Sequence, residues 1–253
     1  MRVAIEGRVA TVVIDRPQTR NALSPDVIDG LRRAIARSVD SGCTVLILRG
    51  SGGTLSAGAD LTFLRGTLDD PAASHKYIAS IGAALDELER APLISVCVID
   101  GYALAGGCEI VLACDLALAS DRSQIGDRHL EYGLLPGAGG SVRMSRAMPP
   151  AAARRLLLTG DMIGAEEALR LGLISHIAAV GQLEEMLENL TTRLATRPPD
   201  AIREMKRLHR VALATHPASA AVEERNALLA HLSSATVREG LSAFAERRTP
   251  RFT

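Results

Sequence analysis

Apolar and polar residues alternate in two opening runs, Arg2 to Glu6 and Val9 to Asp15. They flank Gly7-Arg8 and predict a hairpin-like pair of strands. Arg16-Pro17 ends the second. The period then changes. Val27, Leu31, Ile35 and Val39 recur every four residues, one face of a helix that runs to about Asp40 and stops at Gly42. Ser24-Pro25 supplies an N-cap residue and a proline at the first helical position. Val45 to Leu48 reads as a short buried strand. Arg49 to Leu61 reads as a Gly-rich loop, and a helix follows from about Pro71 to Arg90. Pro92 breaks it, Leu93 to Ile99 is a second buried strand, and Gly101 to Gly107 is a second Gly-rich turn. An apolar helix, Gly107 to Cys114, and a strand, Leu116 to Ala119, come next.

A strand–turn–helix unit thus recurs over about the first 180 residues, without the self-similarity of a sequence repeat. After Pro198-Pro199 strand signals disappear. Ala201 to Thr215, Ala218 to Leu232 and Val237 to Arg247 read as helices, with Ser234 as the N-cap of the last. The pattern predicts an α/β core and an all-helical tail.

The chain has 253 residues, enough for one large domain or a domain with a small appendage. It is 47% hydrophobic and 23% charged, a globular balance and not a disordered one. Net charge is zero, so no global field draws it to nucleic acid or an anionic membrane. Three Tyr, three Phe and no Trp leave no platform for stacking bases. Only Lys76 and Lys206 are lysines among the basic residues. That skew toward Arg reads as coding bias and not as a phosphate-binding signal. Cys43, Cys97, Cys108 and Cys114 form no C-x-x-C pair and read as reduced thiols. The opening strand pair does not resemble a signal peptide, and no apolar run approaches the ~20 residues that span a bilayer. These features predict a cytoplasmic protein.

Gly-rich stretches first suggest phosphate binding. Neither G-x-x-x-x-G-K-[ST] nor a full G-x-G-x-x-G is present, however, and the G-x-S-x-G elbow and zinc-type ligand spacing are also missing. What remains is a pair of turns that each follow a buried strand: SAGADL (Ser56 to Leu61) and DGYALAGGCEIVLACD (Asp100 to Asp115). Gly58 and Gly106 permit dihedrals and close approaches that a Cβ forbids. Side by side, two such turns can aim two free N–H groups at one carbonyl oxygen, and the helix after the second adds its positive end. That arrangement is an oxyanion hole. Spacing alone does not separate it from two ordinary tight turns. Glu109 lies in the first turn of an otherwise apolar helix. It is either a cap favoured by the helix dipole or a buried general acid/base, and residue type alone does not decide.

Here the chain resembles the enoyl-CoA hydratase/isomerase (crotonase) superfamily. The two turns carry the resemblance, together with RPQTRNALS (Arg16 to Ser24), YGLLPGAGGSVR (Tyr132 to Arg143), LLLTGDMIGAEEALRLGLIS (Leu156 to Ser175) and EGLSAFAERRTPRF (Glu239 to Phe252). It extends over nearly the whole chain. It implies a crotonase-like spiral of β-β-α units over residues 1–195 that carries the acyl-CoA site. A helical C-terminal region over 196–253 would serve trimerisation and closure of that site, with trimers pairing into hexamers. It implies an acyl-CoA thioester as substrate, so that coenzyme A enters with the substrate and no permanently bound cofactor or metal is expected. By match of motif, Ala59 and Gly106 would supply the oxyanion N–H groups. Arg20, Ala22, Ala57, Asp60 and Leu61 would line the CoA path, and Gly137 would face the reacting acyl end. The tail around Phe244 to Arg248 matches less closely a region that meets CoA phosphates. An Asp stands at the Gly137 position in some isomerases and dehalogenases, so Gly137 disfavours those activities.

Two departures matter. Hydratases of this family use two glutamates around a water. Glu109 matches the first, but the second position, four residues before Gly133, holds His129, with Glu131 two residues on. In an extended segment a shift of two restores the same side roughly 6–7 Å further along; in a helical one the two point apart. His129 has three readings: a general acid/base in place of the glutamate, the mark of another superfamily reaction (decarboxylation, isomerisation or C–C hydrolysis), or a lineage that kept the CoA site without hydratase activity. The last includes a non-catalytic acyl-CoA binding protein. The second departure is Ala105, where many relatives have Gly; an alanine is expected to be tolerated there if its φ is negative. The remaining histidines read as structural.

Overall fold

The computed structural model describes residues 1–252; Thr253, the last residue of the expected 196–253 tail, lies outside the described residues. The strands are β1 (Arg2–Glu6), β2 (Val9–Ile14), β3 (Val45–Gly50), β4 (Thr54–Ser56), β5 (Ile94–Ile99), β6 (Tyr102–Leu104), β7 (Leu116–Ser120), β8 (Gln124–Gly126), β9 (Ile163–Gly164) and β10 (His176–Ala178). The helices are α1 (Pro25–Asp40), α2 (Leu61–Arg65), α3 (Pro71–Arg90), α4 (Gly106–Ala113), α5 (Gly140–Ala147), α6 (Pro150–Thr159), α7 (Ala165–Leu171), α8 (Leu183–Ala195), α9 (Pro199–Ala214), α10 (Pro217–His231) and α11 (Ala235–Glu246).

Two sheets form. The larger has the order β1-β2-β3-β5-β7-β10, antiparallel only between β1 and β2. Its central strands are buried on both faces, as parallel strands sandwiched between helices must be. The period of two divides their side chains. Leu46 and Leu48 pack in a cluster with Val27 and Leu31 of α1 and Leu85 and Leu88 of α3. Val45 and Ile47 pack with Leu183, Leu187 and Leu190 of α8.

The smaller sheet has the order β4-β6-β8-β9, with strands of two or three residues. β4 pairs with β6 in parallel, Thr54 opposite Tyr102 and Ser56 opposite Ala103. Neither strand was expected: Arg49 to Leu61 reads as a loop and Gly101 to Gly107 as a turn. Three residues among glycines carry too little alternation to read, and what forms them is backbone contact. A Cβ added to Gly101 would lie 2.0 Å from the Gly53 carbonyl oxygen, and one on Gly107 would lie 2.1 Å from that of Ser56. Only glycine lets these chains touch.

The tail is helical, as the pattern predicts. Ser234 caps α11 by accepting from Val237 N at 3.1 Å. Ser24 holds the N-cap position of α1, but its side chain makes no capping bond; Pro25 starts that helix alone. Lys206 of α9 ties the tail to the core, donating to Leu93 O at 2.9 Å and to Asp115 Oδ2 at 2.7 Å. α10 buries no residue, and Val222, Leu228, Leu229, Leu232, Leu241 and Phe244 are exposed on the tail. No helix among the described residues is long and apolar enough to cross a membrane.

Candidate active site

The parallel pairing of β4 and β6 brings together the turns that follow them. Past β4, Gly58 has φ +98, a conformation that turns the next peptide. The neighbours of Ala59 are then pinned. Gly58 N donates to Ser56 Oγ (3.1 Å), and Ser56 Oγ donates to Asn21 O (2.8 Å). Asp60 N donates to Tyr77 Oη (2.7 Å), which donates on to Leu23 O (2.7 Å). Burial pushes the Tyr77 phenol up to about 12, so it stays a neutral bridge. Between these two anchored amides, Ala59 N–H meets no protein acceptor among the described residues.

Past β6, Ala105 has φ 49 and ψ −117. The condition of a negative φ is not met. The residue is clamped from both sides: its N–H donates to Gly126 O (3.0 Å) and its C=O accepts from Glu109 N (3.0 Å). Sheet and helix together over-determine the turn and hold a residue with a Cβ where glycine is favoured, at a cost of about 1–3 kcal/mol. The next amide, Gly106 N–H, opens α4 and also has no protein acceptor among the described residues. The turns are in contact. A Cβ added to Gly58 would lie 2.8 Å from Gly106 N, and one on Gly106 would lie 3.4 Å from Ala59 N. Two adjacent free donors at a helix N-terminus form a ready receptor for a developing negative oxygen.

Glu109, one turn into α4, is 3% exposed. Its Oε1 accepts from Ala138 N (2.9 Å) and Gly140 N (2.8 Å), so it caps the start of α5 and not its own helix. Oε2 takes no protein donor and is not sealed from solvent. One oxygen therefore fixes the carboxyl while the other is left without a protein partner. Burial raises its pKa; the Gly140 N–H, the charge of His129 and the Ala138 N–H pull the other way, and Asp127 adds to the rise.

His129 begins a short 3-10 helix, His129–Tyr132. Because the segment is helical, His129 and Glu131 point apart. Glu131 turns outward to an ion pair with Arg128, while the His129 side chain, 11% exposed, lines the cavity. His129 Nδ1 lies 3.0 Å from Asp127 Oδ1. Burial pushes the imidazole pKa down, but the hydrogen-bonding and charge of Asp127, with the charge of Glu109, outweigh it, and the net shift is upward.

Part of this set faces a cavity of about 810 Å³. Arg20, Ala22, Ala57, Ala59, Asp60 and Leu61 line it, as do Ala105 and His129. Gly106, Glu109 and Gly137 are not among its lining residues; Gly137 packs beside Ile78, where a Cβ would come within 2.6 Å of Ile78 Cγ2. Asp60 also caps α2, accepting from Phe63 N at 3.2 Å. In the tail, Arg248 is held by Glu239 and Glu246. Sequence reasoning passed over three residues. Asn21, fully buried, donates to Ser51 O (2.9 Å) and Thr54 O (2.6 Å) and fastens Arg16–Ser24 to β4. Tyr77 anchors Asp60, and Asp127 holds His129. For Asn21 and Asp127 a signal existed: a short polar side chain beside a turn, the usual partner of neighbouring backbone. For Tyr77 there was none.

A sheet-and-helix frame that brings two unpartnered amides near a buried carboxyl and an imidazole has the groups that binding and polarising a carbonyl compound requires. The comparisons narrow the class. The family model for enoyl-CoA hydratase/isomerase matches residues 4–253, so the chain belongs to the enoyl-CoA hydratase/isomerase family. Crotonyl-CoA hydratase of Syntrophomonas wolfei is 30% identical over 98% of this chain and 95% of its own length. The 2,3-dehydroadipyl-CoA hydratase of Escherichia coli is 29% identical over 99% and 97%. The crystal structure of an enoyl-CoA hydratase from Polaromonas sp. JS666 superposes with TM-score 0.95 at 25% identity, covering 100% of this chain and 99% of that one. The fold is the crotonase fold, and the protein is an acyl-CoA-processing enzyme of the hydratase/isomerase type.

Proposed function

We propose that the protein adds water across the double bond of an enoyl-CoA. The observation that carries this reading is the pair of free amides, Ala59 and Gly106, on two turns that touch, near Glu109 and His129. The thioester oxygen sits between the two N–H groups. Glu109 takes a proton from water as the water oxygen bonds to the β-carbon. The electron pair of the double bond moves to the thioester, and the enolate charge falls on the oxygen held by the amides. Protonated His129 gives its proton to the α-carbon. Glu109 then returns the gained proton through solvent to His129, so water is consumed and both groups are restored. Arg20, Ala22, Ala57, Asp60 and Leu61 guide the CoA moiety, and Gly137 faces the acyl end.

The exposed apolar side chains of the tail form, in this reading, the surface of a homotrimer, with hexamers as a further step; light scattering in solution tests it. The four free thiols fit the reducing cytoplasm that the reading assigns.

Loss of the conjugated thioester absorbance on incubation with short and medium enoyl-CoAs tests the activity. Glu109→Gln keeps the acceptor for Ala138 and Gly140 and is expected to lower the rate by about 10²–10⁴-fold. Equal rates for the two proteins would reject hydratase action. Acyl-CoA affinity that survives loss of both Glu109 and His129, with no turnover by the unaltered protein, would identify a binding protein instead. Turnover of an acyl-CoA by decarboxylation, isomerisation or C–C cleavage would mark the other use of the same amides.

A further inference from the structure

A carboxylate that no family motif assigned stands directly behind His129. Asp127 is 1% exposed. Between the two residues Arg128 adopts φ 55, which folds the chain back on itself. One oxygen, Asp127 Oδ1, therefore reaches both the backbone N of His129 (3.3 Å) and its ring Nδ1 (3.0 Å). The ring contact is close but bent, so Nδ1 lacks an in-line acceptor, and Asp127 Oδ2 is buried with no donor at all. An ionised carboxylate with one unpartnered buried oxygen costs free energy unless positive charge lies beside it. His129 supplies that charge when protonated. Arg128 does not, because its guanidinium is engaged with Glu131. The second ring nitrogen, Nε2, has no protein partner and, unlike Nδ1, is not sealed from solvent; His129 is one of the residues that line the cavity.

We propose that Asp127 is a positioning residue for His129, holding its backbone N by a hydrogen bond and its ring by the close charge contact at Nδ1, so that the proton-bearing Nε2 faces the substrate opposite Glu109. This inference rests on the reading of His129 as the proton donor to the α-carbon. It explains how a histidine replaces a second glutamate. A glutamate in that role must be kept protonated against its ordinary pKa, whereas an imidazolium beside Asp127 keeps its proton to a higher pH than a free imidazole does. The groups acting on the ring are Asp127 from its own loop and Glu109 from α4. Both are acidic, and both favour the charged form against the opposing effect of burial. The rate should accordingly fall on the alkaline side as His129 loses its proton, at a pH above the ordinary histidine range.

The test is NMR titration of the histidine rings, with His129 assigned by the signal missing from His129→Gln, in the unaltered protein and in Asp127→Asn. In the unaltered protein His129 should titrate above an ordinary histidine. In Asp127→Asn burial is opposed by the charge of Glu109 alone, so the midpoint should drop below that of the unaltered protein. Enoyl-CoA hydration by the variant should fall about tenfold or more in kcat with little change in KM, and its alkaline limb should move to lower pH. An unchanged midpoint overturns the inference. So does a His129 of the unaltered protein that titrates at or below the ordinary value, a result that needs no variant to fold. A shifted midpoint in a protein that hydrates no enoyl-CoA supports the Asp127–His129 pair and overturns only the hydratase reading.

Discussion

In the larger sheet, strands of up to six residues bury aliphatic side chains on both faces and are held by what those side chains exclude from water. In the smaller sheet, strands of two or three residues are held by backbones so close that a Cβ has no room. The first region contributes stability and almost no chemistry; the second contributes the amides, the cavity wall and the loop bearing Asp127 and His129. Side-chain packing tolerates small adjustments, because neighbours repack. A backbone-to-backbone contact does not, and it suits a site where two N–H groups must stay within a fraction of an ångström of their places.

The contrast is open to attack by substitution. The largest effect is expected from Gly107→Ala. Its Cβ would meet Ser56 O at 2.1 Å, forcing β4 away from α4 and Ala59 from Gly106. Activity per folded molecule should fall at least about 10²-fold. Gly42→Ala is the control: nothing lies within 4 Å of the added methyl, so only its φ of +72 is strained. That costs about 1 kcal/mol of stability and no activity. Next comes Leu46→Ala in β3, a side chain with no exposure. Denaturant unfolding should show a loss of about 2–5 kcal/mol, while the folded fraction keeps its rate. The smallest effect is Ala105→Gly, which relieves the φ of 49 while adding backbone freedom to the unfolded chain. The balance is a gain of about 1 kcal/mol. A loss of stability there would mean that the Ala105 methyl packs better than its backbone is strained.

The same contrast explains what the sequence revealed. α1 and α3 were legible almost to the residue, because a four-residue apolar period and a cap or breaker mark each end. The three tail helices were equally plain. β4, β6, β8 and α2 were not: pairing with distant chain creates the three strands, and α2, five residues long, is too short to show a period. At the site, the glycines and the lone acid in α4 pointed to the chemistry, and family motifs assigned the partners. His129 was visible as a departure, but its separation from Glu131 depended on a 3-10 turn that the sequence left open. Asp127 became meaningful only once the left-handed Arg128 folded it against the ring.

A crystal structure with a slowly reacting acyl-CoA bound tests the account most directly. The thioester oxygen should lie about 2.7–3.1 Å from the nitrogens of both residue 59 and residue 106. An oxygen held by other donors, or reached by only one of those two, would contradict it.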